Sequence, residues 1–324
     1  MHLKLLRAAA AVAVLGGTAT FGLGLTQPAL AATTNVDCST PDLVTAMTYP
    51  NYASGDTLVL APHCTYWVTA ALPTIMHTLT IEGNNDNIVR THSAAAFSVF
   101  IVGCEAGNLT LENVNVSNGG GAGIDGGAIH MDPGTVHVYG GTFSDNNADY
   151  LEPNGGDGGA IYNFDGDLTV SGATFTDNSA TDYGGAIYNQ NNDGASTVSH
   201  TSFIGNDAEY GGALYTDDNN MTIDQGNFRY NSAEYGGAVY NDNFVTANDT
   251  LFMMNTASDE GGAIYNDEET VTLNHSLIEV NHARDGGGGI YNDGDGIVTL
   301  HFDQINANTP DNCEPTETID GCVG

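Results

Sequence analysis

The sequence predicts an all-β fold, a single-stranded parallel β-helix (solenoid) of about ten coils with a cap at each end. Two motifs that recur in phase predict it. The unit GGAIYN and its variants begin at positions 126, 158, 184, 211, 236, 261 and 287, at intervals of 32, 26, 27, 25, 25 and 26 residues. The motif Phe-x-x-Asn occurs in step at 143–146, 175–178, 203–206, 228–231 and 252–255, and IEVN takes the same place at 278–281.

Each repeat contains three short alternating runs separated by Gly, Asn and Asp, which is typical of short strands joined by turns. No helical period is visible within a repeat. Three strands therefore form one coil, and successive coils stack at roughly 4.8 Å with equivalent residues above one another. The predicted β-helix covers residues 57–306 as one domain.

Alternation along a strand places the aliphatic residue of each GGAIYN unit in the core and the following tyrosine outside. The glycine pair before it permits a sharp turn. The predicted core residues of this strand are Ile161, Ile187, Leu214, Val239, Ile264 and Ile290. Leu168, Val170 and Phe175 are the inward residues expected of the other two strands.

Asparagine recurs at two corners of the repeat. Stacked amides can donate to and accept from one another along the axis, and asparagine tolerates the left-handed backbone of tight corners. We therefore expect two structural ladders, one of Asn163, Asn189, Asn241, Asn266 and Asn292 and one of Asn146, Asn178, Asn206, Asn231, Asn255 and Asn281.

Residues 1–31 have the layout of a secretory signal peptide, with a basic start, an apolar stretch and a small-residue end. Cleavage is expected before Ala32. No later segment is long and apolar enough to span a bilayer, so we expect no membrane span after cleavage. The predicted location of the protein is therefore extracellular.

Both ends of the stack need covers, because an open coil exposes unpaired strand edges. Residues 32–56 are expected to form the N-terminal cap, with a short helix that begins at Ser39 or Thr40 and has Pro41 in its first turn. Residues 307–324 depart from the repeat and are expected to form a C-terminal cap pinned by a disulfide.

Five cysteines occur singly, which disfavours a zinc site, and an oxidising compartment makes disulfides the default. Cys313 and Cys322 frame the C-terminal tail and are expected to pair. Cys38 and Cys64 flank the first structural turn and form the next pair. Cys104 is then either free or displaces one of these partners.

The net charge of the chain excludes some classes of binding partner. The chain has a formal charge of −35. Two of its five basic residues, Lys4 and Arg7, lie in the predicted signal peptide, which leaves three against 40 acidic residues, or −37. Nucleic acid and anionic membranes are therefore excluded as partners. Disorder is not indicated, because the 41% of hydrophobic residues are regularly placed.

The paired GGA[IVL] and FxxN motifs resemble the repeat of the polymorphic outer membrane protein family. More widely, they resemble secreted bacterial β-helix proteins of the pectin-lyase-like fold. The resemblance covers about residues 57–306. It implies a right-handed parallel β-helix and, as an expected function, adhesion at a cell surface.

Tyrosine follows each core aliphatic residue and is expected to line one outer face, with further tyrosines beside the glycines. Stacked aromatic rings stabilise a β-helix, and a strip of tyrosine beside carboxylates is also a surface for a neutral glycan or a protein. The predicted binding residues are Tyr162, Tyr188, Tyr215, Tyr240, Tyr265, Tyr291, Glu209 and Glu234.

Two acidic columns flank the tyrosines, and like charges about 5 Å apart are expected to raise each other's pKa. One column precedes the glycines, at Asp125, Asp157, Asp182, Glu209, Glu234, Asp259 and Asp285. The other follows the Tyr-Asn corner, at Asp165, Asp193, Asp217, Asp242, Asp267 and Asp293. Ca²⁺ is the one cofactor expected, to relieve the repulsion, with Asp217, Asp242, Asp267 and Asp293 as its predicted ligands.

These observations favour a secreted, non-catalytic protein that binds a polysaccharide or another cell-surface or matrix component, as an adhesin does. The alternative is a carbohydrate-active enzyme, a hydrolase before a lyase, because stacked carboxylates approach the separation of a catalytic pair. No pair stands out from its column, so no catalytic residue is assigned. The sequence leaves open a monomer, an end-to-end oligomer and a face-packed oligomer.

Overall fold

The computed structural model describes residues 31–151, 156–190, 195–217 and 220–322. The predicted signal peptide, 1–31, lies outside the described residues except for Ala31. The chain folds as an all-β parallel β-solenoid of about ten turns. The fold predicted from the repeat is confirmed.

Three rows of parallel strands form the walls of the solenoid, and we call them faces A, B and C. Face A holds the strands equivalent to the one that contains Leu168 and Val170: Thr33–Val36, Asp56–Leu60, Thr135–Tyr139, Asp167–Ser171, Ala195–Ser199, Asn220–Asp224, Phe244–Asn248, Thr270–Asn274 and Ile297–His301. Two longer strands bend from face A into face B: Thr78–Arg90 and Asn108–Ser117.

Face B holds the Phe-x-x-Asn strands: Thr65–Val68, Thr142–Ser144, Thr174–Thr176, Ser202–Ile204, Asn227–Arg229, Leu251–Met253, Leu277–Glu279 and Gln304–Asn306. Short strands follow it: Gly120–Ala122, Asn147–Asp149, Ser179–Ala180, Ser232–Ala233 and Thr256–Ala257. Face C holds the tyrosine strands: Phe100–Gly103, Ile129–Asp132, Ile161–Phe164, Ile187–Gln190, Leu214–Asp217, Val239–Asn241, Ile264–Asn266, Ile290–Asn292 and Cys313–Glu314.

The predicted core positions are confirmed. The six aliphatic residues of the GGAIYN units are at most 1% exposed, and Leu168, Val170 and Phe175 are fully buried. Face B contributes a column of phenylalanine rings with centroids about 5 Å apart, such as 4.7 Å between Phe203 and Phe228. Burial of one large apolar side chain per strand is the main stabilising term of each coil.

The asparagine ladder at the end of face B is continuous over the described coils. Asn206 Nδ2 donates to Asn231 Oδ1 at 2.9 Å and to the carbonyl oxygen of Phe175 in the preceding coil at 3.2 Å. The same bonds recur from Asn146 to Asn308, so the buried amides satisfy one another. The structural role predicted for this column is confirmed.

The second ladder, on face C, has one break. Asn163 donates to Asn189 at 2.7 Å, and Asn241 donates to Asn266 at the same distance. Thr216 occupies the intervening coil. Within the described residues, Asn189 Nδ2 and Thr216 Oγ1 are both buried without a hydrogen-bond partner.

The glycine pairs form the turn into face C. Gly184 has φ +63°, which favours glycine, and a Cβ on Gly185 would collide with the carbonyl oxygen of Gly212 in the next coil. The pair therefore sets both the direction of the chain and the close approach of successive coils. Its recurrence has a structural cause.

A helix, Thr40–Met47, covers the N-terminal end and buries Leu43 and Met47. Ser39 is its N-cap residue, although the Ser39 side chain makes no capping bond. The strand Thr33–Val36 already pairs with Asp56–Leu60, so the sheet begins inside the range expected for the cap.

The predicted disulfides form, Cys38 with Cys64 and Cys313 with Cys322, with Cα atoms 5.6 and 6.2 Å apart. Cys104 is free and half-buried. The C-terminal segment also contains a short 3-10 helix, Thr316–Thr318. In the described part of the chain, no helix has the length and apolar character needed to cross a membrane.

Candidate functional site

The tyrosines of face C form a stacked row, because register pairs each with its copy in the next coil. Neighbouring ring centroids are 4.9–5.5 Å apart and nearly parallel, and His130 stacks on the first ring at 5.0 Å. This tyrosine row consists of Tyr162, Tyr188, Tyr215, Tyr240, Tyr265 and Tyr291.

The expectation that these rings present an open strip is wrong. The four central rings are only 7–8% exposed. A second row packs against them: Tyr183 is 4.6 Å from Tyr215, and Tyr210 lies edge-on to Tyr240 at 5.4 Å. Glycan stacking on the central ring faces is therefore blocked, and the contribution of these tyrosines to binding stays a prediction.

Hydroxyl groups of the tyrosines reach carboxylates one coil further on. Tyr215 donates to Asp242 at 3.3 Å and Tyr240 to Asp267 at 2.7 Å. Burial, followed by the hydrogen bond to Asp267, raises the pKa of the Tyr240 hydroxyl. These tyrosines therefore stay protonated and act as hydrogen-bond donors.

The predicted calcium ligands fall into one row along the axis. Asp242, Asp267 and Asp293 each donate their backbone amide to a residue of the preceding coil, which places them in successive coils. Gln190 Nε2 donates to Asp217 Oδ2 at 3.0 Å at the start of the row. Burial, and then the charges of Asp217 and Asp267, raise the pKa of Asp242 to about 6.

A row of carboxylates differs from a coordination shell. Among the residues that the structure describes, no group of three or more His, Cys, Asp or Glu side chains could hold a metal ion. Cation binding by this row thus stays a prediction, and its physical basis is repulsion between neighbouring carboxylates.

The acidic column before the glycines is split between two rows. Hydrogen bonds align Asp182, Glu209, Glu234, Asp259 and Asp285 in consecutive coils, and we call this set the acidic row. Asp125 and Asp157 lie instead in the row of Tyr183. The amide of Gly126 donates to the carbonyl oxygen of Asp157, and the amide of Gly158 donates in the same way to the carbonyl oxygen of Tyr183. The signal was present in the spacing: Asp157 immediately precedes its glycine, whereas Asp182 precedes its glycine by two positions.

Asp157 has an unusual environment. Its Oδ1 is buried and, within the described chain, has no hydrogen-bond partner. Burial, and then the charges of Asp125 and Asp182, raise the pKa of Asp157 to about 7. The rise in the pKa of Asp157 agrees with the repulsion between acids expected from the sequence, although desolvation is the larger cause.

An open groove of about 530 Å³ runs over four coils beside the acidic row, and we call it the axial groove. Its floor is a column of alanines, Ala180, Ala208 and Ala233, each 7% exposed. Carboxylates and hydroxyls form its walls: Thr181, Asp207, Glu209, Ser232, Glu234, Thr256 and Ser258. The groove contains both glutamates predicted as binding residues, and sequence reasoning missed the hydroxyls and alanines around them.

Two stretches of the chain, residues 140–163 and 172–190, match the family model described as Chlamydia polymorphic membrane protein (Chlamydia_PMP) repeat. Each stretch contains one Phe-x-x-Asn motif followed by one GGAIYN motif. Over these stretches the chain is similar to the PMP repeat, and its fold is a parallel β-helix. The match and the solenoid together support a surface or outer-membrane type of β-helix protein. No curated protein matches the chain significantly.

Proposed function

We propose that the protein is a secreted or surface-displayed β-helix that binds an extended polysaccharide of a cell surface or matrix along the axial groove, as an adhesin does. The observation that carries the proposal is the groove itself. Alanines form its floor in three coils and polar side chains line it in all four, so a polymer lying along the axis meets a similar surface repeatedly.

The chemistry of the walls fits sugar hydroxyls. Glu209 and Glu234 are exposed, and each carboxylate can accept at least two hydrogen bonds. The hydroxyls of Ser232 and Thr256 can donate or accept a hydrogen bond. A formal chain charge of −35 repels polyuronates and other polyanions. Neutral or cationic polysaccharides are therefore the proposed ligands.

Binding to a panel of neutral, cationic and uronic polysaccharides tests this function. The variant Glu209→Gln/Glu234→Gln changes two groove carboxylates without changing their shape. We expect at least one neutral or cationic polymer to be retained by the protein and released by this variant. The matched control, Glu268→Gln/Glu269→Gln, changes two exposed carboxylates outside the groove and should bind normally. Equal retention by both variants, or no retained polymer, contradicts the proposal.

A second function, polysaccharide hydrolysis, is favoured by one observation. With a pKa of about 7, Asp157 is partly protonated at neutral pH and can donate a proton as a general acid does, and Asp125 lies one coil away. New reducing ends from any polymer of the panel, abolished by Asp157→Asn, would establish the enzyme. The absence of reducing ends would leave polysaccharide binding as the function.

A further inference from the structure

The outer side of face B changes character along the solenoid. The residue before each ladder asparagine is Asp145, Asp177 or Gly205 in the earlier coils. In three later coils it is Tyr230, Met254 or Val280, which are 58%, 39% and 47% exposed. With the half-buried strand residues beside them, they form an apolar patch of Tyr230, Leu251, Met253, Met254, Leu277 and Val280.

The backbone at this corner gives no reason for apolar side chains. Tyr230, Met254 and Val280 have φ of 58°, 57° and 59°, a left-handed conformation that is uncommon for residues other than glycine and is least favourable for the β-branched Val280. Gly205 occupies the same corner at φ 69° without that strain. The residues at this corner in the earlier coils therefore suit the fold better. The exposed apolar residues of the later coils indicate a surface that another molecule covers.

The patch is also electrically neutral in a strongly acidic chain. The segments 227–233, 251–257 and 277–283 contain one arginine, Arg229, and one carboxylate, Glu279. The acidic row, by contrast, has a carboxylate in every coil from 182 to 285. The patch is thus a surface where two copies of this chain can approach without opposing their carboxylates.

The strand register of face B places Arg229 and Glu279 so that two copies of the patch can pair their opposite charges. Arg229 pairs with Met253 and Met253 pairs with Glu279, so the charges lie one coil to either side of a methionine. A two-fold axis that lies in the contact plane above Met253, parallel to the strands, places each Arg229 over the Glu279 of the second copy. Both charges are available: the ion pairs found in the described residues involve Arg284 alone, and Arg229 spends only its Nε, on Asn227 at 2.8 Å.

We propose that two copies of the chain associate side by side and antiparallel through this patch. The apolar side chains of the later coils pack together, and two Arg229–Glu279 pairs fix the register. Such an isologous contact closes on itself, as most homodimer interfaces do. This inference does not rest on the proposed function.

Sedimentation of the purified protein at physiological ionic strength tests the proposal. The unaltered chain should sediment as a dimer at raised concentration. Arg229→Glu or Glu279→Arg alone makes both cross-copy pairs repulsive and should weaken dimerisation about tenfold or more. The exchange Arg229→Glu/Glu279→Arg restores attraction and should return the dimer.

A matched control separates this contact from general repulsion. Ser144→Glu/Thr176→Glu adds the same two negative charges as Arg229→Glu, in the same outward row but in earlier coils. This control should dimerise normally. A chain that is monomeric at every concentration, or a dimer that the exchange fails to restore, overturns the proposal.

Discussion

The hydroxyl of Tyr240 donates to Oδ2 of Asp267, one coil further along the solenoid, at 2.7 Å. This bond joins the tyrosine row to the row of acids that follows the Tyr-Asn corner. Stacking alone would stabilise the rings, and the carboxylates alone would repel one another. In this pair the hydroxyl gains a part-buried acceptor and the carboxylate gains a donor, as in the bond from Tyr215 to Asp242.

Removal of this donor should destabilise the protein. Tyr240→Phe keeps the stacked ring but leaves Asp267 without the hydroxyl, and we expect a loss of about 1–2 kcal/mol in the free energy of unfolding. Denaturant unfolding measures it. Tyr150→Phe, at a tyrosine that is 47% exposed, is the control and should change stability little. Equal stability of the two variants would show that the bond contributes nothing.

Completion of the broken ladder should stabilise the protein. Thr216→Asn supplies an acceptor for the unpaired Nδ2 of Asn189 and a donor for Asn241, as in the neighbouring coils. We expect a gain of about 1–2 kcal/mol, because a buried unsatisfied amide is satisfied. The midpoint of chemical unfolding is the measurement. A lower midpoint would mean that the coil at Thr216 cannot accept the larger side chain.

Stability should fall as pH rises. The folded-state pKa is about 7 for Asp157 and about 6 for Asp242, while an unfolded aspartate titrates near 4. The folded state thus binds more protons between these values, so their contribution is full below about pH 4 and is lost as pH rises through about 6 to 7. The melting temperature should be higher at about pH 5 than at about pH 8.

The double variant Asp157→Asn/Asp242→Asn isolates these two groups. It should gain on the order of 1–2 kcal/mol at about pH 8, after allowance for solvent screening, and should flatten the pH dependence. Asp145→Asn, at an exposed corner, should keep the dependence of the unaltered protein. An unchanged slope in the double variant would assign the pH effect to other residues.

Calcium should raise the melting temperature at about pH 8, where the acids are ionised, and a chelator should reverse the effect. The predicted contact is the row from Asp217 to Asp293. Asp242→Asn removes a charge from its middle and should reduce the shift. Identical melting curves with calcium and with chelator would show that calcium does not stabilise the protein through this row.

The regular features were predictable because they depend on the repeat alone. A fixed interval puts Ile187 above Ile161 and Asn206 above Asn178, so core and ladder follow from counting and alternation. The disulfide Cys313–Cys322 followed from its short separation. Such features need no knowledge of how one face of a coil lies against another.

The candidate site depends on departures from the repeat. The burial of Tyr215 comes from Tyr183, which approaches it from another segment of the coil. Asp157 lies in the row of Tyr183 because it directly precedes its glycine, whereas Asp182 precedes its own glycine by two positions. Prediction of the axial groove requires the relative depth of Ala208 and Glu209 below the surface, which alternation along a single strand does not give.

Binding along the axial groove is tested by the affinity of the protein for a series of oligosaccharides of increasing length, taken from the polymer that it retains best. Polar side chains line the axial groove in four successive coils, so affinity should rise with each added sugar until the four coils are spanned and then level off. Glu209→Gln/Glu234→Gln should lower that plateau. Affinity that is independent of length, or a plateau that this variant leaves unchanged, would contradict binding along the solenoid.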